Sequence, residues 1–256
     1  MITRRMLSPV LLACLLATGC AGGGGRTTAE DDMAKAVEPS LRAAAATAEA
    51  SGDFKGAAQH WRTIYQHDPA DKAVAESLAR ALRLAGAGQQ AADVMQTTLA
   101  RVGRDANLLA ELGKDYLAAE RLGLALKSLE EARTLAPLRW DVPSAMGVVY
   151  DLQGKPEQAA EAYGQALALS PDNPEVLNNL GLSQALAGNL DAAIATLRHA
   201  DEQPASGAQA RQNLAMLLAL KGDPAAAERL ARHDLSPEMA RANAEIFRRL
   251  AGNARR

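Results

Sequence analysis

The sequence predicts an all-α protein, a solenoid of about six helix-turn-helix repeats closed by a C-terminal capping helix. Three observations carry that expectation. Small residues recur every 34 positions, at Ala45, Ala79, Gly113, Gly147, Gly181 and Ala215, and again at Ala57, Ala91, Ala125, Ala159, Ala193 and Ala227. A glycine divides nearly every unit into two halves, at Gly52, Gly86, Gly154, Gly188 and Gly222, with Glu120 in that place once. Aromatic residues make up only 3% of the chain, which suits close helix packing and argues against a β-sandwich.

In chain order, Arg4 and Arg5 precede an apolar run from Val10 to Ala17, too short for an ordinary membrane span. This reads as a secretory signal over residues 1–19. The run Leu16-Ala17-Thr18-Gly19-Cys20 resembles a bacterial lipobox. That resemblance implies that Cys20 takes the lipid and becomes the new N-terminus. Ala21, in place of an Asp, then implies an outer-membrane address on the periplasmic face. Cys14 leaves with the signal, so Cys20 would be the only cysteine and no internal disulfide can form. Gly22 to Gly25 and the polar residues after them predict a flexible tether over residues 20–37.

Six frames then fit without insertion: 38–71, 72–105, 106–139, 140–173, 174–207 and 208–241. The clearest is Trp140 to Asn173. Met146, Gly147 and Tyr150 share one face of its first helix, and Gly154 ends that helix where a positive φ is needed. Pro156 opens the second helix, where its missing N–H costs nothing. Ala159, Tyr163 and Ala166 recur at helical spacing, and Pro171 stops the run.

In the first frame Asp53 can cap a helix that carries Ala57, Trp61 and Ile64 inward. The second keeps Leu78 and Leu82, and its Gly86-Ala87-Gly88 reads as a permissive turn rather than a phosphate loop. The third has Leu112, Gly113, Tyr116, Ala125 and Pro137, and the fifth has Leu177, Leu180 and Gly181. The sixth decays in its second helix, where Asp234 replaces an apolar residue and Ala231 a bulky one. Ser236-Pro237 starts a final helix over 237–256, with Ile246, Phe247 and Leu250 available to cover the last repeat. The small, bulky and proline positions together resemble the tetratricopeptide repeat, over about four fifths of the chain. The resemblance implies a protein-binding solenoid.

No residue pattern points to chemistry. His60, His67, His199 and His233 form no H-E-x-x-H and have no cysteine partner, so neither a metal nor a cofactor is expected. No G-x-S-x-G and no Cys–His pair suggest a nucleophile, and the repeats leave no room for a catalytic domain. The protein is therefore expected not to be an enzyme. A net charge of −2 without a basic stripe argues against nucleic acid.

In tetratricopeptide repeats the first helices line a concave surface, and the resemblance implies which residues face it. The N-terminal half offers Arg42, Glu76, Arg80, Arg83 and Lys114. The C-terminal half offers Asn178, Asn179, Leu182, Leu186, Gln212, Asn213, Met216 and Leu220. Asn179 and Asn213 occupy the same place in consecutive repeats. A primary amide donates and accepts as a peptide backbone does, so this pair is expected to hold an extended peptide beside the apolar residues. The alternative is that both amides bond only to neighbouring helices. The family's paired Lys and Asn pattern for clamping a C-terminal carboxylate is not reproduced. The ending from Asp234 to Leu250 resembles the TadD group of tight-adherence (Flp) pilus assembly lipoproteins. That resemblance implies protein partners, an outer-membrane secretin or other pilus components, with the membrane reached through the lipid. A scaffold for other envelope or peptidoglycan-processing complexes is the alternative.

Overall fold

The computed structural model describes residues 27–254, and the expected signal, Cys20 and the last two residues lie outside them. Thirteen helices follow one another: α1 Thr27–Ala50, α2 Phe54–His67, α3 Lys72–Leu84, α4 Gly88–Val102, α5 Ala106–Ala118, α6 Leu122–Leu135, α7 Asp141–Leu152, α8 Pro156–Leu169, α9 Pro174–Leu186, α10 Leu190–Glu202, α11 Ala208–Leu220, α12 Pro224–Ala231 and α13 Pro237–Ala254. Each odd helix through α11 pairs with the even helix after it, then stacks on the next pair. Backbones of consecutive first helices come within 8 Å of one another from α3 to α11. Second helices reach each other through long side chains, as Tyr65 of α2 bonds Thr98 of α4 at 3.0 Å. The array therefore curves with its first helices on the inside.

Sterics at the 34-residue positions explain the hairpins. Ala57, Ala79, Ala91, Ala125, Ala159, Ala193, Ala215 and Ala227 are fully buried. Beside them sit the bulky partners Trp61, Met95, Leu129, Tyr163 and Leu197, also buried. Burying such side chains is worth about 1.5–3 kcal/mol each. Asp53, Asp71, Asp105, Asn173 and Asp223 each accept a backbone N–H at a helix start, which quiets part of the unpaired first turn.

The turn inside each repeat closes in one way. After α7, Lys155 N–H reaches back to the Tyr150 carbonyl at 3.0 Å and Gly154 N–H to that of Asp151 at 2.9 Å. This needs a left-handed residue, and Gly154 has φ 68°. Glu120 stands at the equivalent place after α5 and adopts φ 58°. An L-residue with a Cβ costs about 1–2 kcal/mol there. Glu120→Gly relieves that strain but gives back part of it as chain entropy in the unfolded state. A net gain of about 0.5–1 kcal/mol is expected in urea unfolding. Equal midpoints for the two proteins would show that the site carries no strain.

Four expectations are corrected. Helix α1 begins at Thr27, inside the stretch expected to be tether up to residue 37. The acidic run Glu30-Asp31-Asp32 near the helix start favours the macrodipole, and Ala, Met and Lys that follow are good helix formers. Pro39 sits inside this helix without ending it. Gly88 is not part of a loose turn but is the buried first residue of α4, where a Cβ would meet the Ala118 carbonyl carbon at 2.7 Å. Asp234 is not a lost apolar contact. Its carboxylate takes two bonds from Arg211, at 2.7 and 2.9 Å, and Arg211 also reaches Asp201 at 3.0 Å. That cluster ties α11 to the end of α10 and to the turn before α13. Helix α12 is cut to eight residues and α13 packs on α11 and α12. Ala244 is its buried contact, while Ile246 is exposed; the side chains of Phe247 and Leu250 lie outside the described residues.

Candidate functional site

Helices α3, α5, α7, α9 and α11 place one residue per repeat at equal height on the inner face, because each repeat restarts the helix at the same point. Polar side chains there bridge each neighbouring pair. Arg80 pairs with Glu49 of α1 at 3.1 Å. Arg83 of α3 binds Glu111 at 3.0 Å and also Asp115, both on α5. Lys114 of α5 holds Glu111 at 2.8 Å and Asp141 of α7 at 2.9 Å. From α7 onward the rungs are uncharged at one end or both. Asn179 of α9 donates to Ser144 of α7 at 3.4 Å, Ser183 donates to Asp151 at 2.7 Å, and Asn213 of α11 donates to Asn178 at 2.8 Å. Tyr163 completes the Asp151 site with an O–H donated at 2.9 Å.

The charged rungs are tuned by burial. Asp115 is fully buried, with one oxygen on Arg83 and the other without a partner. Burial outweighs the attraction of Arg83 and pushes its carboxyl up to about 6. Asp141 goes the other way. Against the cost of burial, the hydrogen bond from Arg139 and the charge of Lys114 hold it at about 2. Glu76 is half-buried, and burial followed by the nearby carboxylates of Glu111 and Asp105 raises it.

The residues expected to bind a peptide fall into two places. Asn178 and Asn179 line a cavity of about 560 Å³ at the N-terminal ends of α9 and α11, with Trp140, Asn173, Glu175 and Gln209. Asn178 is only 6% exposed, and its amide both donates to Asn179 at 3.3 Å and accepts from Asn213. These amides thus bond one another and Ser144, Asn178 from a buried position and Asn179 and Asn213 while part-exposed. Gln212 is exposed but does not line the cavity. Leu182, Leu186 and Met216 lie further along the same helices, where Leu186 is 77% exposed and Met216 36%. Leu220 instead packs against the C-terminal core. Leu152 extends that apolar row onto α7 and is 59% exposed, while Val148, one turn before it, is partly buried against the core around Tyr163. Both were missed, although Leu152 stands 34 residues before Leu186 and could have been found by the same shift of frame. Trp140 was read only as the start of a repeat.

A tetratricopeptide-repeat family model matches residues 144–208. The uncharacterized protein y4yS of Sinorhizobium fredii is 32% identical over 124 residues, covering 42% of this chain and 68% of y4yS. The chain belongs to the tetratricopeptide-repeat family. The TPR protein TTC0263 of Thermus thermophilus shares the fold at TM-score 0.63 and 26% identity, over 71% of this chain and 98% of that one. PilF of Pseudomonas aeruginosa has TM-score 0.53 and 20% identity, over 80% of this chain and 91% of PilF. TPR arrays are in general non-enzymatic interaction scaffolds, and the inner face of this one matches that use. Among the described residues no group of three His, Cys, Asp or Glu side chains could hold a metal ion, and no helix is long and apolar enough to cross a membrane.

Proposed function

We propose that this TPR protein is a lipid-anchored, non-enzymatic assembly factor at the periplasmic face of the outer membrane, assisting the assembly or localisation of a tight-adherence pilus secretin. The observation that carries the binding role is the row of exposed apolar side chains on α7, α9 and α11, on the inner face of the array. Isolated exposed leucines need no explanation, but a row shared by three adjacent helices marks a surface that a partner covers. The lipobox around Cys20 and the tail resembling TadD supply the address and the pathway. The likeness to PilF supports the fold of such a factor.

Two experiments test this reading. Cys20→Ser should abolish acylation and release the protein from membranes, since a lipid would be its strong membrane attachment. Retention of a labelled acyl chain by membrane-bound mutant overturns the anchor. Co-purification of the secretin with the wild-type protein is expected, and its absence after crosslinking in cells that build the pilus overturns the pilus role.

A further inference from the structure

The cavity at the starts of α7, α9 and α11 departs from the repeat that frames it. Trp140 stands in a column that elsewhere holds Glu38, Lys72, Ala106, Pro174 and Ala208, so it is the only aromatic ring there. Gly207 stands in the column of Asp71, Asp105, Arg139, Asn173 and Arg241, all of which carry a side chain. A Cβ on Gly207 would meet nothing within 4 Å. One wall therefore has a flat ring where the other repeats have none, and another wall lacks a side chain. The resulting hollow of about 560 Å³ falls within the roughly 300–1,000 Å³ of small-molecule sites.

The lining selects a chemistry. Trp140 is half-buried and rests on the core around Tyr163. The ring N–H of Trp61 is taken up by Glu49 at 2.8 Å, whereas the indole N–H of Trp140 has no partner among the described residues. The side chains of Glu175 and Gln209 are exposed and likewise have none there. Asn178 donates to Asn179 at 3.3 Å and accepts from Asn213 at 2.8 Å, and Asn179 donates to Ser144 at 3.4 Å. A primary amide has two N–H hydrogens and two acceptor lone pairs. Asn178 and Asn179 thus each keep one donor and one acceptor, in an orientation that the network holds.

Other ligand classes match this lining poorly. No lysine or arginine lines the cavity, and Arg139, next to Trp140 in the chain, is held by Asp141 at 2.7 Å. An anion would face Glu175 with no cation to offset it. A cation accepts no hydrogen bond and would leave the N–H groups of Trp140, Gln209 and the asparagines unanswered. An apolar ligand would desolvate those groups without replacing their water. A pyranose ring answers all of them. Its C–H face lies on an indole, and its hydroxyls donate to a carboxylate and exchange bonds with amides. An acetamido substituent has one N–H and one C=O, so it pairs with a primary amide in both directions.

We infer that this cavity binds a neutral saccharide carrying N-acetyl groups. Trp140 stacks under one pyranose ring, Glu175 and Gln209 hold its hydroxyls, and the Asn178–Asn179 pair holds an acetamido group. The site stands apart from the pilus reading and needs no protein partner.

The test titrates the full chain with tri-N-acetylchitotriose by calorimetry and by tryptophan fluorescence. Of the two tryptophans, only Trp140 lines the cavity. Maltotriose, a neutral trisaccharide without acetamido groups, is the control. The acetylated sugar should bind and shift the fluorescence, and maltotriose should bind at least tenfold more weakly. Glu175→Ala with Gln209→Ala should weaken binding at least tenfold with circular dichroism unchanged, both residues being exposed. Trp140→Ala should abolish binding. Because Trp140 also rests on the core, Trp140→Phe is the companion variant, and by keeping a ring it should weaken binding only severalfold. Co-sedimentation with peptidoglycan that the trisaccharide competes away would assign the site to the wall polymer, and trisaccharide binding without co-sedimentation would assign it to a soluble saccharide. Failure of the acetylated sugar to bind, equal binding of maltotriose, or full binding by the folded double variant overturns the proposal.

Discussion

Gly147→Leu is expected to destabilise the protein by about 3 kcal/mol, the upper end of what overpacking costs. Gly147 is buried in α7, and even a Cβ there would stand 2.6 Å from the Tyr163 ring. Tyr163 cannot retreat easily. It is 1% exposed, and its hydroxyl is held by Asp151. A leucine must push the ring away from α7, so the variant loses packing and the Tyr163–Asp151 bond together, the bond alone being worth about 0.5–1.5 kcal/mol. The control is Gly164→Ala in α8, where a Cβ meets nothing within 4 Å. Alanine is the better helix former there by about 0.8–1 kcal/mol, so that variant should gain stability. Urea unfolding of both decides the matter. Gain in both variants would mean that helix propensity, not contact with Tyr163, governs these positions, and no loss for Gly147→Leu would mean that the two helices can separate freely.

Asp115→Asn should change how stability depends on pH. The Asp115 carboxyl titrates at about 6 in the folded protein because burial penalises its charge, against 3.8 as the ordinary value. The folded state therefore holds the proton more tightly than the unfolded one. Its contribution to stability is full below 3.8 and is lost as pH rises through about 6. The shift corresponds to about 3 kcal/mol between the two limits. Asparagine does not titrate and keeps an acceptor for Arg83. The stability of wild type relative to Asp115→Asn should thus fall by about 3 kcal/mol between pH 3.5 and pH 7.5. Asp141, held at about 2, contributes in the opposite sense, present above 3.8 and lost as pH falls through about 2. It is common to both proteins and cancels in the difference. Parallel stability curves for the two proteins across this range would show that Asp115 is not buried as a charged group.

Both experiments turn on contacts that the sequence announces unequally. The closeness of α7 and α8 was legible, because Gly147 and Ala159 are small at the same places as Gly113 and Ala125, and Gly181 and Ala193. The turn after α5 was legible too, since Glu120 interrupts a column of glycines and the hydrogen bonds of the turn leave no choice of φ. The length of α1 was misread, because four glycines suggested a tether up to residue 37, whereas the acidic and alanine-rich residues from Thr27 onward are helical. The burial of Asp115 was written in the repeat, where Ala81, Val149, Ser183 and Leu217 hold the same place and are all buried. Its charge hid that signal from a reading that looked for carboxylates on solvated faces.

By itself, the sequence determined the helical hairpins and their stacking order. Those depend on side-chain volume and φ at positions a fixed distance apart, and volume and φ are local properties of each residue. The tertiary structure alone decided which amides of the inner face bond one another. Asn178 and Asn213 stand 35 residues apart, on different helices, and their amides could have met a ligand or each other. Which they meet depends on where neighbouring helices set their side chains within hydrogen-bond reach, a matter of a few tenths of an ångström that no spacing in the chain encodes. The same packing leaves Leu152 and Leu186 uncovered while it packs Leu220 partly buried against the C-terminal core, and so separates the surface from the core among leucines that occupy one position of the repeat.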